Sequence, residues 1–168
     1  CFQLIVPVAE DTPALTQDAE SSMPRIDAVD AGTPPTADVP IRVLLADDHA
    51  IVREGLVGLL DAQQDFLVVG EAANGKEAVQ MVEDLNPDVL IMDIEMPTMD
   101  GIEATRRIRR KDTCIIVIGL SFHDDEALAR TMIEAGADAY VSKHAPAKEF
   151  VAAVRDACLP LRGRGRIT

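Results

Sequence analysis

Four places in this 168-residue chain join an apolar run to a polar residue equipped for chemistry. The run at 41–46 ends in Asp47-Asp48-His49, and the run at 89–92 ends in Asp93, which opens the segment Asp93-Ile94-Glu95-Met96-Pro97-Thr98-Met99-Asp100-Gly101. The run at 114–120 ends in Ser121, and the run at 139–142 leads into Lys143. If these runs are parallel strands of an open sheet, their carboxyl ends share one edge, where ligands bind beside a reversal of strand order. Carboxylates crowded there raise one another's pKa unless a counter-charge is present. A divalent cation supplies it, and oxygen ligands with room for phosphate oxygens suit Mg²⁺. An aspartate beside such an ion can attack a phosphoryl group and become an aspartyl phosphate. A lysine and a hydroxyl would steady the charge on the equatorial oxygens. Singly, Asp47 or Asp48 reads as a helix N-cap, Asp93 as a turn residue, and Ser121 and Lys143 as commonplace surface residues. The set as a whole points to phosphoryl chemistry.

Such a set needs elements that bring it together. Five apolar runs, at 41–46, 66–70, 89–92, 114–120 and 139–142, are continuous rather than alternating, as parallel strands covered on both faces should be. Helical patterns separate them. Val52, Leu56, Leu59 and Leu60 share one face, as do Ala78, Met81, Val82 and Leu85. Leu128 with Met132, and Phe150 with Val151 and Val154, make two more. Residues 102–110 form a thinner helix with Ile102 and Ile108 inward and arginines outward. Strands alternating with helices predict a doubly wound α/β sheet. Gly136 stops the fourth helix, and Pro160 ends the fifth.

Composition sets the boundaries. Net charge is −13, a poor match for sequence-independent binding to nucleic acid phosphates. No apolar run approaches the roughly 20 residues needed to cross a bilayer, so no membrane segment and a cytoplasmic location are expected. The three cysteines lack metal spacing, and Cys114 and Cys158 read as small buried hydrophobes. Residues 9–40 are rich in proline and acid and read as a linker. The opening residues 1–8 resemble a lone strand. Residues 158–168 form a short basic tail.

Residues 41–157 resemble a receiver domain, the response-regulator module of two-component signalling. The resemblance rests on Asp47-Asp48, on Asp93 with Pro97 and Asp100-Gly101 beyond it, on Ser121 and on Lys143, all in order. It implies a flavodoxin-like five-stranded parallel sheet of order 2-1-3-4-5 with helices on both faces. It also implies Asp93 as phosphoacceptor, with Mg²⁺ held by Asp48 and Asp93, by Asp47 through water, and by the backbone carbonyl of Glu95. Ser121 and Lys143 would contact the phosphoryl group, and Tyr140 would move inward as Ser121 shifts. On this reading the domain is no enzyme by itself. Residues 1–8 are similar to the last strand of a histidine kinase ATP-binding domain. They suggest the C-terminal receiver of a hybrid histidine kinase, whose parent is allowed a membrane anchor. The expected partners are then a histidine kinase domain or a His phosphotransfer domain, with a homodimer allowed and no direct nucleic-acid contact. The alternatives are a docking pseudo-receiver that is never phosphorylated and a Mg²⁺-dependent phosphatase-type hydrolase.

Departures from the family pattern add expectations. Phe122 stands where many receivers carry a small residue and should narrow the approach to Asp93. Glu95 and His123 are placed to tune water access. His144 follows Lys143 in place of the common proline, which leaves the isomer of that peptide open. The basic run from Arg106 to Lys111 reads as a solvated helix face, or else as a surface for an acidic partner. His49, His123 and His144 read as solvated or capping residues.

Overall fold

A computed structural model describes residues 39–111, 114–123 and 125–159. Five strands alternate with five helices: β1 (Ile41–Ala46), α1 (Ala50–Asp61), β2 (Phe66–Ala72), α2 (Gly75–Leu85), β3 (Val89–Asp93), α3 (Gly101–Arg110), β4 (Ile116–Ser121), α4 (Glu126–Glu134), β5 (Ala139–Ser142) and α5 (Ala147–Ala157). All strand pairs are parallel, in the order β2-β1-β3-β4-β5. The expected strand at 1–8 lies outside the described residues, as does most of the linker and of the tail.

Burial explains why the apolar runs are continuous. Every residue of β3 and of β4 is buried, because helices cover both faces of these central strands. Val43, Leu45, Val89, Ile91, Ile118 and Leu120 face a core shared with α1 and α5. Leu44, Ala46, Leu90, Met92 and Val117 face the opposite core, with Ala78 and Val82 of α2, Ala104 and Ile108 of α3, and Met132 of α4. Edge strand β2 is less covered, and Leu67 is 48% exposed. The β1–β2 register shifts between Val43 and Leu44, where the pairing skips Val69.

The order reverses at β1, which lies between β2 and β3. Ala46 pairs with Met92, so Asp47 and Asp93 leave neighbouring strands side by side. Asp93 pairs with Leu120, and Ser121 pairs with Ser142 just before Lys143. Sheet register alone therefore gathers four of the candidate residues.

The loop after β3 is fixed by close backbone approach. The Gly101 N–H donates to the Ile94 carbonyl at 2.9 Å, and the Asp100 side chain caps α3 by accepting from the Glu103 N–H at 2.7 Å. A Cβ on Gly101 would sit 2.1 Å from the Asp93 carbonyl oxygen. Gly101→Ala is accordingly expected to push the end of β3 out of place and lower stability by about 2 kcal/mol, read from the urea midpoint. An unchanged midpoint would show that the loop yields freely.

Two expectations change in the structure, and one open question is answered. Cys114 is exposed, just before β4 begins, whereas Cys158 is buried as expected. Arg109 leaves the solvated face: its guanidinium donates to the carbonyls of Gly136 and Ile115 at 2.6 and 2.7 Å and pairs with Asp138. It thereby ties the end of α3 to the start of β4 and to the turn before β5. Gly136 accommodates this turn with φ of +113°, a conformation that favours glycine. The open question about the peptide after Lys143 also closes, since no described peptide bond is cis.

Candidate functional site

Each candidate side chain is held by the end of a strand. Asp47, Asp93 and Ser121 are buried, and the Lys143 side chain is only 2% exposed. The Lys143 Nζ lies 2.7 Å from Asp47 Oδ2 and 2.7 Å from Asp93 Oδ2. The other oxygen of each aspartate is taken by a local turn. Asp47 Oδ1 accepts from the His49 N–H at 2.8 Å, and Asp93 Oδ1 accepts from the Glu95 N–H at 3.2 Å. Neither Asp47 nor Asp48 takes the N-cap position of α1, which is His49.

The charges do not balance. One ammonium faces two buried carboxylates, and Asp48 adds a third, its side chain 28% exposed. The lysine contacts are ion pairs without hydrogen-bond alignment, so both Oδ2 atoms and Nζ are buried without an aligned partner. Burial pushes the Asp93 carboxyl above the usual range, the Lys143 ammonium pulls it back, and the Asp47 carboxylate pushes it up again.

A small divalent cation fits this arrangement. Asp47, Asp48, His49 and Asp93 each offer a ligand atom, all within 4.8 Å of one another. Three carboxylates with an uncompensated charge suit a hard cation such as Mg²⁺. His49 was expected to be solvated or capping. Its side chain makes no cap bond and lies with Nδ1 2.8 Å from Asp48 Oδ1.

The remaining residues frame the mouth. Ser121 Oγ accepts from the His123 N–H at 3.0 Å. The half-buried Tyr140 donates its hydroxyl to the His123 carbonyl, so His123 links the two. The His123 ring meets the Glu95 carboxylate at 3.2 Å. Phe122 lies over Lys143, with Nζ 4.7 Å from the ring centroid, and its ring also contacts those of His49 and His144. Sequence reasoning placed Phe122 near the entrance but missed its ring partners. Residues 49, 122 and 144 share no motif and meet only through the sheet order.

A buried aspartate beside a lysine, with an acidic cluster able to hold a cation, thus stands at the strand-order reversal of a doubly wound parallel sheet. The chain belongs to the response regulator receiver domain family, whose model matches residues 43–155. Receiver domains are phosphoacceptors and bind Mg²⁺ at an acidic pocket. The transcriptional regulatory protein LiaR of Bacillus subtilis is 50% identical over 119 residues, covering 70% of this chain and 56% of that protein. The solved receiver domain of the response regulator NarL from Mycobacterium tuberculosis is 34% identical with a TM-score of 0.69, covering 74% of this chain and 98% of that one. A DNA-binding response regulator of the LuxR family from Staphylococcus aureus is 31% identical with a TM-score of 0.66, covering 70% and 98%. The chain spans about half the length of the curated relatives it matches.

These relatives correct the expected partners. A hybrid kinase and its phosphotransfer domain, with nucleic acid excluded, gives way to kinship with DNA-binding regulators. The exclusion rested on the net charge of −13. That charge belongs to this chain and does not describe the DNA contacts of an output domain elsewhere in a regulator. The kinase resemblance rested on eight residues, too few to outweigh kinship across the whole receiver. Among the described residues, no helix is long and apolar enough to cross a membrane.

Proposed function

We propose that Asp93 accepts a phosphoryl group from a phosphohistidine and that the adduct switches the surface around α4, β5 and α5. The observation that carries this reading is Lys143 Nζ lying 2.7 Å from both Asp47 and Asp93. It places a fixed positive charge against the carboxylate that would react. In the transfer an Asp93 oxygen attacks phosphorus, the N–P bond of the donor breaks, and the imidazole leaves with the electron pair. Asp47, Asp48, Asp93 and the Glu95 carbonyl would hold Mg²⁺, whose positive charge would offset that of the phosphoryl oxygens.

The adduct adds roughly 1.5 to 2 negative charges at neutral pH, together with acceptor oxygens. The Ser121 hydroxyl can donate to one of those oxygens and Lys143 can pair with another. Moving Ser121 strains its bond from the His123 N–H. The His123 carbonyl that holds Tyr140 moves too, freeing the ring to turn inward. That chain of contacts couples the pocket to β5.

The kinship with LuxR-type regulators supports a place in a transcriptional response regulator, the receiver controlling a DNA-binding output domain. Incubating the chain with Mg²⁺ and acetyl phosphate should give a single phosphoryl adduct by intact mass, abolished by EDTA. Repeated turnover without an adduct would favour a hydrolase. No reaction with acetyl phosphate or with phosphorylated histidine kinases would favour a docking domain that is never phosphorylated.

A further inference from the structure

We infer that the rings of His49, Phe122 and His144 form a cap that slows the approach of small phosphodonors and of water to Asp93. This rests on the phosphoacceptor reading above and names how that site selects its donor. The rings come from the segments after β1, β4 and β5, which converge on one sheet edge. Phe122 stands edge-on to His49, centroids 6.0 Å apart at 88°, and tilts against His144 at 5.5 Å and 55°. Both arrangements are favourable for ring pairs.

One face of Phe122 covers the lysine ammonium at 4.7 Å, a cation–π contact. The same ammonium touches the Asp93 carboxylate at 2.7 Å, so the ring lies a single charged group away from the acceptor. The ring itself is 39% exposed, whereas the lysine beneath it is nearly excluded from solvent. The Glu95 carboxylate, paired with His123 at 3.2 Å, adds negative charge near the entrance. An anionic small donor therefore meets both bulk and repulsion.

A donor carried on a protein differs because it can bury apolar surface as it docks. Phe122 and Ile51, the latter 85% exposed on the first turn of α1, offer that surface. Their burial would offset the attraction to Lys143 and the two histidines that the ring gives up as it swings aside. Small acyl phosphates have no such compensation.

The test uses the full chain with Mg²⁺ and acetyl phosphate, whose P–O bond breaks as Asp93 attacks and acetate leaves. Intact mass follows adduct formation, and phosphate release follows its loss once the donor is removed. Phe122→Ala should accelerate both steps about tenfold, the scale of one cation–π contact. Phe122→Tyr should keep the slow rates, and His144→Ala should fall between. Loss of the same contact should lower the melting temperature by about 5 °C, so the rates are compared well below it. Equal rates for wild type and Phe122→Ala, with the adduct still on Asp93, would overturn the cap and leave the phosphoacceptor reading intact. An adduct that survives Asp93→Asn, or no adduct on any of these proteins, would overturn both.

Discussion

Asp93→Asn is expected to abolish phosphorylation and, at the same time, to make the fold more stable. The first effect follows because an amide oxygen cannot serve as the nucleophilic carboxylate. The second follows from the electrostatics of the pocket. Burial is the largest cause of the raised Asp93 pKa, and the nearby Asp47 carboxylate adds to it. A folded-state pKa above the unfolded one means that the folded chain holds its proton to higher pH. Stability linked to Asp93 is present at low pH and lost as pH rises through the folded-state value. At neutral pH the ionised side chain is therefore a burden, and Asn removes it while Lys143 keeps Asp47 as partner. With Mg²⁺ chelated at pH 7, the variant should gain about 1 kcal/mol, or about 4 °C in melting temperature. The gain should shrink as pH falls. A variant that melts lower than wild type at neutral pH would show that the lysine needs both carboxylates.

Lys143→Met should have the opposite consequence and a larger one. The substitution leaves Asp47 and Asp93 buried on adjacent strands with no ammonium between them. Removing one member of a buried ion-pair cluster strands the others, and a loss of about 3 kcal/mol is expected in EDTA at pH 7 by urea unfolding. Two conditions should restore much of it. Mg²⁺ supplies the missing positive charge, so the variant should show a steeper rise in stability with Mg²⁺ than wild type. Acid should also help, because the Asp93 carboxyl, already raised, takes up a proton and relieves the repulsion. If the variant collapses outright, Lys143→Arg retains the charge and should fold while labelling slowly. Stability insensitive to both Mg²⁺ and pH would mean that the lysine acts only through packing.

The elements were legible because each leaves a local mark. A run of apolar residues that ends in a polar one announces a strand of a parallel sheet whose carboxyl end meets solvent. Each of the five strands expected between residues 41 and 142 lies within two residues of the observed one. The gathering of Asp47, Asp93, Ser121 and Lys143 was legible for the same reason, since parallel strands in a doubly wound order align their ends. What the pattern could not carry were contacts between loops. The Phe122 cluster depends on which loops the sheet order makes neighbours, and Arg109 looked like one more surface arginine until three acceptors were folded around it. Cys114 was misplaced because an apolar run says nothing of where the ladder begins. The kinship with DNA-binding regulators was illegible for a different reason, since this chain's net charge carries no information about the further domains of its relatives.

The Arg109 clamp has a mechanical consequence. It fastens α3, the start of β4 and the turn before β5 at the edge of the sheet far from Asp93. The amino-terminal end of α4 stands at the opposite edge, next to the pocket of Asp93 and Lys143. A helix pinned at its foot and released at its head pivots rather than slides. A sub-ångström displacement of Ser121 would then emerge as a tilt of α4, and the guanidinium would serve as the fulcrum.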